Sequence, residues 1–265
     1  MSNKKTPSKP APAAAPINTF PTEQIDLPSG GKIYGKDSPL FDGKIDLKYM
    51  TAKEEDILTS QNLIKKGTAL EKLLSALILT PGVSLDDLIL GDKNALMVAS
   101  RILAYGTEYE TTIQNPETGE KYIHSFDLSQ CPFKELPDNV DYSENSFEME
   151  LPVSKSKVTF KILTGKEEKL IDSELAAQKK LKKAVVPELT TRLKHIITSI
   201  DGETSNQAIS NFVDNMLSRD SMALRTELLR ITPDINMEQE IDWEGETVTV
   251  AIPMTASFFW PNAGI

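Results

Sequence analysis

Two pairs of adjacent glutamates are the residues whose type and spacing could perform acid–base chemistry in this sequence. Glu54 and Glu55 form the first pair, and Glu167 and Glu168 form the second. Two carboxylates that face each other can act as general acid and general base, as they do in glycoside hydrolysis. Adjacent residues on a helix, however, point about 100° apart. We therefore interpret both pairs as first-turn acids that complement a helix dipole, and we predict no catalytic residue.

The other polar residues show no spacing that is typical of a catalytic or metal site. His124 and His195 lack partners at the spacing of a catalytic triad or a zinc site. The LPSGGK stretch at 27–32 has glycines and a lysine without the spacing of a phosphate-binding loop, so we predict a turn there. Cys131 is the single cysteine, which excludes an intramolecular disulfide and a cysteine-built metal centre. We expect no cofactor and no metal.

The sequence segment that contains each glutamate pair, and that must position it, occurs twice in the chain. Residues 44–57 read KIDLKYMTAKEEDI, and residues 157–170 read KVTFKILTGKEEKL. Six of these fourteen positions are identical: Lys44/Lys157, Lys48/Lys161, Thr51/Thr164, Lys53/Lys166, Glu54/Glu167 and Glu55/Glu168. Chance supplies roughly one identity in such a window, so the likeness needs a structural reason.

Each copy predicts a strand that turns directly into a capped helix. Its first five residues alternate polar and apolar, as a strand with one buried face does. A threonine and a glutamate then stand three residues apart, which is the spacing of a capping box. Thr51 with Glu54, and Thr164 with Glu167, are therefore predicted to be structural caps of two helices.

The likeness continues on both sides of this repeat. Further along the chain, Asp92 opens the sequence DKNAL and Asp220 opens DSMAL, and we predict that each aspartate is the N-cap of a helix. Apolar stripes of helical spacing precede both aspartates, and the second stripe predicts a helix that runs from 187 to 200. Hairpins are predicted to open and close each copy, at 25–35 and 111–128 in the first and at 147–158 and 238–254 in the second.

These matches predict an α+β protein made of two diverged copies of one module, each with a small antiparallel sheet packed by several helices. The first module is predicted over residues 23–140 and the second over 141–265. Residues 1–22 form a Pro/Ala-rich segment, which we predict to be a flexible, disordered tail. It lacks the continuous apolar segment and cleavage site of a signal peptide.

Charge and hydropathy exclude two classes of partner. The net charge is −10, and such an acidic surface repels phosphate backbones, so we expect no nucleic-acid binding. No apolar run approaches the roughly 18 residues that a membrane-spanning helix needs, so we expect no membrane span.

The carboxyl-terminal sequence FFWPNAGI carries three consecutive aromatic residues close to the end of the chain. Large apolar side chains at such a place either close a core or present apolar surface to a partner. We interpret Phe258, Phe259, Trp260 and Pro261 as partner-binding residues. The alternative is that they close the core of the second module.

The order of several short motifs resembles the baseplate hub and hub-assembly family of T-even-like contractile-tailed phages. The motifs are LPSGGK at 27–32, MTAKEEDIL at 50–58, GDK at 91–93, YG at 105–106 and FFWP at 258–261. The likeness spans roughly residues 22 to 261. Many relatives carry Cys-x-x-Cys pairs at the two terminal hairpins, whereas this chain has none there, which puts any metal role in doubt.

The resemblance implies a non-enzymatic structural protein of the baseplate hub, made and folded in the host cytoplasm and located in the virion. Its expected partners are other baseplate hub and tail proteins, with the tail tube and the tape-measure protein as further candidates. One alternative is a transient assembly chaperone that is absent from the mature virion. A virion-associated cell-wall hydrolase is the other alternative, which the lack of paired carboxylates disfavours.

Overall fold

The computed structural model describes residues 21–115, 119–180, 186–243, 245–254 and 258–259. The predicted tail falls almost wholly outside these ranges, although its last residue, Thr22, begins the first strand.

The amino-terminal half has a hairpin, a set of helices and a second hairpin, in that order. Its elements are β1 (Thr22–Asp26), β2 (Lys44–Lys48), α1 (Ala52–Thr59), α2 (Gln61–Lys65), α3 (Ala69–Leu77), α4 (Leu90–Tyr105), β3 (Glu108–Gln114) and β4 (Lys121–Asp127). Short 3-10 turns lie at Lys32–Tyr34, Leu85–Asp87 and Leu128–Gln130.

The carboxyl-terminal half follows a similar order with one additional strand between its helices. Its elements are β5 (Phe147–Glu150), β6 (Lys157–Phe160), α5 (Gly165–Lys180), α6 (Glu188–Ile196), β7 (Ile197–Ile200), α7 (Asn206–Asp214), α8 (Ser218–Ile231), β8 (Glu238–Trp243) and β9 (Glu246–Ala251).

All the sheets among the described residues are small and antiparallel. The pairs β1–β2, β3–β4 and β8–β9 form two-stranded sheets, and β5–β6–β7 forms a three-stranded sheet. Ile25 lies opposite Ile45 in the first hairpin, and Phe147 lies opposite Phe160 in the three-stranded sheet. The predicted α+β class with small antiparallel sheets is therefore confirmed.

The strand β7 corrects the sequence-based prediction of one helix from 187 to 200. Helix α6 ends at Ile196, and the chain turns into a strand that pairs with β6, placing Ile200 opposite Val158. The segment Ile197–Ile200 is rich in β-branched side chains, which favour a pleated surface. In the first half, Ile78 directly follows α3 and forms a bridge with Leu47 of β2. Both halves thus return to their second strand after a helix.

Two hydrophobic clusters hold these elements together, and they do not follow the predicted boundary between 140 and 141. The first cluster contains the buried leucines of β2, α1, α3 and α4, together with Ile241, Ile252, Phe258 and Phe259 from the end of the chain. The second cluster is built on β5, β6, α5, α6 and α8. The hairpin β8–β9 therefore packs on the amino-terminal core. The two-module division and the origin of the halves by duplication stay predictions.

Candidate functional site: the repeated strand–helix corner

The repeated motif folds into a polar corner where a strand meets a helix. In the first copy Lys48 ends β2 and Thr51 directly precedes α1. Glu54 accepts two hydrogen bonds on Oε2, one from the Thr51 backbone N–H at 3.1 Å and one from the Thr51 hydroxyl at 2.6 Å. Its other oxygen, Oε1, accepts from Lys48 Nζ at 2.8 Å. We call Lys48, Thr51 and Glu54 the first corner.

The second copy repeats these contacts atom for atom. The Thr164 backbone N–H donates to Glu167 Oε2 at 2.7 Å, and the Thr164 hydroxyl donates to the same oxygen. Lys161 Nζ donates to Glu167 Oε1 at 2.8 Å. We call Lys161, Thr164 and Glu167 the second corner. Half of the identities between the two copies therefore belong to one structural arrangement.

The electrostatics of the corners fit a structural carboxylate. Burial acts to raise the pKa of Glu54, but the hydrogen bonds from Lys48 and Thr51 outweigh it and lower that pKa to about 2. The pKa of Glu167 is also lowered, since hydrogen bonds from Lys161 and Thr164 outweigh its desolvation. Both carboxylates are therefore charged at neutral pH and hold their protons too weakly to act as general acids.

The adjacent glutamates do not form carboxylate pairs with the corner residues. Glu54 is buried, whereas Glu55 is exposed. In the second copy, Glu168 accepts from Arg192 Nη1 at 2.6 Å, while Glu167 binds Lys161. Each carboxylate thus has surroundings of its own, as expected for side chains that point in different directions along a helix.

The aspartates of the second repeated motif are not N-caps, which corrects the sequence-based prediction. Helix α4 begins at Leu90 and α8 begins at Ser218, so Asp92 and Asp220 are the third residues of their helices. An N-cap side chain satisfies amides of its own helix. These two carboxylates instead accept hydrogen bonds from the turn of the preceding hairpin.

Asp92 and Asp220 accept hydrogen bonds from different kinds of donor in their turns. Asp92 accepts from the Ser29 backbone N–H at 3.0 Å, from Ser29 Oγ at 2.7 Å and from the Tyr34 hydroxyl. Asp220 accepts from two backbone amides, Val153 N–H at 2.8 Å and Ser154 N–H at 3.0 Å. Each carboxylate links a hairpin turn to a helix start, 0 % of either residue being exposed.

The pKa values of the two carboxyl groups are shifted in opposite directions. Burial raises the pKa of Asp92 above its usual value, against the effect of its hydrogen bonds from Tyr34 and Ser29. At Asp220, burial also acts to raise the pKa, but the Val153 and Ser154 amides outweigh it and hold that pKa below its usual value. Burial next to Asp92 also raises the pKa of the Tyr34 hydroxyl.

Sequence reasoning missed Ser29 and Tyr34 as partners of Asp92. Ser29 belongs to the LPSGGK turn, and its position directly after a Leu-Pro pair is the signal that could have linked it with Val153 in the second copy. Tyr34 also accepts from the Ile89 backbone N–H at 3.1 Å, so its hydroxyl joins the turn to the start of α4. No pattern along the chain points to that contact.

The terminal hairpins β3–β4 and β8–β9 contact each other. The rings of Tyr122 and Trp243 have centroids 5.3 Å apart. Gln239 Nε2 donates to the Asp127 carbonyl at 2.7 Å, and the Tyr109 hydroxyl donates to the Pro253 carbonyl at 3.0 Å. The pairing explains how the end of the chain reaches the amino-terminal core.

The carboxyl-terminal phenylalanines lie inside that core. Phe258 and Phe259 are each 1 % exposed, and the Phe258 ring meets the Tyr109 ring edge-on with centroids 5.0 Å apart. This burial agrees with a core-closing segment, but in the first cluster and not in the core of the second module. Trp260 and Pro261 lie outside the described residues, and the partner-binding role of the segment stays a prediction.

The histidines and the cysteine occupy separate places. His124 packs edge-on against Phe126 with centroids 4.7 Å apart, and His195 Nε2 lies 3.1 Å from Glu174 Oε1. Burial raises the pKa of the Cys131 thiol. Within the described ranges, no group of three or more His, Cys, Asp or Glu side chains could hold a metal ion. The helices of the same ranges include none with the length and apolar character to cross a membrane.

Comparison with protein-family models identifies a family over most of the chain. A family model described as T4 bacteriophage base plate protein matches residues 20–260. No curated protein and no solved structure matches the chain. The matched range includes both corners, both aspartates and both terminal hairpins.

Proposed function

Because this chain belongs to the T4 bacteriophage base plate protein family, we propose that it is a non-enzymatic structural component of the baseplate hub. In this role it binds neighbouring hub and tail proteins within a multi-protein complex of the phage tail.

The family match over residues 20–260 is the observation that carries this proposal, because it includes both halves of the chain. The two corners and the two aspartate links suit a structural role, since each ties a strand or a turn to a helix through a buried or half-buried carboxylate.

The state of the candidate carboxylates supports a structural role over a catalytic one. Glu54 and Glu167 each accept hydrogen bonds on both oxygens from residues of their own corner. A general acid or base needs a carboxyl group that can reach the substrate and exchange a proton. Both oxygens of each corner glutamate are instead engaged in hydrogen bonds that hold the fold.

Quantitative mass spectrometry of purified particles tests the proposal. We expect the chain at a fixed copy number relative to the tail-tube protein, and we expect it to stay with isolated hub subassemblies after the outer baseplate is removed. A chain that is required for tail assembly but missing from finished particles would contradict the proposal and indicate an assembly chaperone.

A peptidoglycan zymogram tests the non-enzymatic part of the proposal. We expect no clearing by the purified chain at neutral pH, with a phage lysozyme as the positive control. Clearing that disappears on Glu55→Gln or Glu168→Gln would contradict a purely structural function.

A further inference from the structure

Helix α8 presents large apolar side chains to solvent. Met222 is 59 % exposed and Leu229 is 73 % exposed. They stand seven residues apart, which is about two helical turns, so they lie along one line of the helix. The opposite face is buried in the second cluster through Leu224 and Ile231. Helix α8 therefore carries large apolar side chains on its solvent face as well as on its buried face, an arrangement that provides a second packing surface.

The apolar surface extends beyond the carboxyl-terminal end of this line. Leu229 lines a groove of about 700 Å³ together with Phe133, which is 42 % exposed, and Met237. A groove of this size next to an exposed helical stripe can accept side chains from a partner helix.

Two arginines flank the same line. Arg219 and Arg225 are exposed, and none of the salt bridges formed among the described residues includes either guanidinium. Arg225 donates from Nε to the Ser221 carbonyl at 3.3 Å, and Arg219 acts on its neighbour Asp220 only as the weakest contribution to the lowered pKa of that group. Arg230 differs, since Glu227 binds it at 2.7 Å.

We infer that this face of α8, formed by Arg219, Met222, Arg225 and Leu229, docks an amphipathic helix of a different baseplate protein. The partner helix carries apolar residues at heptad spacing, which fill the space beside Met222 and Leu229. Its acidic residues meet Arg219 and Arg225. This inference rests on the proposed function, since it names the kind of neighbour that the chain binds.

Charge decides between this partner and a second copy of the chain. If α8 packed against α8 of another copy, the unpaired arginines of both helices would be brought to the same interface, where like charges repel. An acidic helix offers bidentate carboxylate–guanidinium pairs instead. Glu135, Asp234 and Glu238 line the groove at the Leu229 end of α8, so the acids of the partner are expected at the Arg219 end.

Site-specific photo-cross-linking in assembled particles tests the inference. A photo-reactive phenylalanine analogue replaces Met222 in the full chain, which is supplied in infected cells that lack the natural gene. A second chain carries the analogue at Ala176, which is exposed on α5, as the control. We expect the Met222 position to cross-link a peptide of another virion protein that has heptad-spaced apolar residues and flanking Asp or Glu.

Substitutions give an independent measurement. The double change Met222→Glu and Leu229→Glu is expected to lower incorporation into particles by about tenfold or more, as loss of a buried anchor does. Leu170→Glu is the matched control, because Leu170 is 57 % exposed on α5 and lies off this face. Both variants are checked for unchanged thermal melting. Arg225→Glu alone is expected to lower incorporation several-fold.

The outcomes separate the inference from the proposed function. A cross-link to another copy of this chain, or to a peptide with basic flanks, would overturn the inference. Normal incorporation of the double variant would do the same. A chain present in particles that gives no Met222 cross-link would overturn the inference alone, whereas absence of the wild-type chain from particles would overturn the proposed function and the inference with it.

Discussion

In the first corner the side chains of Lys48 and Glu54 are 19 % and 3 % exposed, whereas in the second corner Lys161 and Glu167 are 30 % and 22 % exposed. The atoms bond in the same way in both. The difference lies in what surrounds them. An ion pair that is screened from water interacts more strongly, but it also costs more when one partner is removed. The same sequence motif is therefore expected to contribute unequally to the free energy of unfolding in the two halves.

The aspartate links differ in a second way. Asp92 is bound by hydroxyls and one amide, and its pKa is raised, whereas Asp220 is bound by two amides, and its pKa is lowered. The position in the helix is the same, so that position does not set the direction of the pKa shift. The burial and the donors of each carboxyl group set it together.

The largest expected effect tests whether the ring of Phe258 completes the first cluster. Phe258→Ala is expected to lower the free energy of unfolding by about 3–5 kcal/mol, since it removes a ring from the first cluster. Urea denaturation of the purified chain measures this change, and Phe258→Leu is the control that keeps most of the apolar volume.

A loss below about 1 kcal/mol from Phe258→Ala, which is the usual range for an exposed site, would contradict the core placement. If such a variant also failed to join particles, the partner-binding prediction for the carboxyl-terminal aromatics would be favoured. Phe160→Ala in the second cluster gives the matched comparison, because Phe160 is equally buried at 1 % exposure.

The two corner glutamates give the next largest effect. Glu54→Ala is expected to cost about 3 kcal/mol, because it leaves Lys48 half-buried without its carboxylate. Glu167→Ala is expected to cost about half as much, since water reaches the second corner. Chemical denaturation at neutral pH measures both, and Lys53→Ala, at an exposed position of α1, is expected to cost almost nothing. Equal costs at the two corners would contradict the role given to burial.

The corners and the aspartate links also differ in how far sequence alone could predict them. The spacing of Thr51 and Glu54 is local, and α1 begins directly after Thr51. Asp92, by contrast, lies 63 residues from Ser29 and 58 residues from Tyr34, so its partners depend on the packing of a turn against a helix. The N-cap interpretation failed because an aspartate before an apolar run fits a helix start at several positions.

The same limit explains the other corrections. The apolar residues of 193–200 fit one helical stripe, but the β-branched Ile197–Ile200 segment found a partner strand in β6, and no spacing rule contains that partner. From the sequence, we interpret the carboxyl-terminal aromatics as partner-binding residues, with closure of the second module's core as the alternative. Which core receives Phe258 was decided by the contact between the two terminal hairpins.

The aspartate links are expected to give opposite dependences on pH. Asp220→Asn is expected to cost about 2 kcal/mol at neutral pH, because it removes charge-assisted hydrogen bonds from two amides. The lowered pKa means that this contribution is present above the unfolded value of about 3.9 and is lost as the pH falls through the folded value. The difference between wild type and Asp220→Asn should therefore shrink on acidification.

The contribution of Asp92 to stability depends on pH in the opposite direction. Its raised pKa means that the folded state favours the protonated form, so its contribution is fully present below about pH 3.9 and is lost as the pH rises through the folded value. The difference between wild type and Asp92→Asn should grow as the pH is lowered from neutrality. Urea denaturation between about pH 3 and 8 measures both differences, and parallel curves for the two variants would contradict the assignment.

The smallest expected effect tests whether the repeated threonines contribute equally to stability in both corners. Each hydroxyl donates to a carboxylate oxygen that also accepts the threonine's own backbone N–H. Thr51→Ala and Thr164→Ala are therefore each expected to cost about 1 kcal/mol of stability, the typical value for a lost helix cap. Thr→Ser at the same positions keeps the hydroxyl and is expected to recover most of that loss.

The threonine variants also separate capping from ion pairing, because the lysine bond reaches the other carboxylate oxygen. In a double-mutant cycle, Thr51→Ala should couple strongly to Glu54→Ala and weakly to Lys48→Met, and Thr164 should couple in the same way to Glu167 and Lys161. Each threonine hydroxyl donates only to the glutamate of its own corner. The losses of stability in Thr51→Ala and Thr164→Ala should therefore agree within a few tenths of a kcal/mol, even where the losses in the two glutamate variants differ by more than about 1 kcal/mol. A cost near zero for both threonines would mean that the backbone N–H and the lysine alone hold each corner.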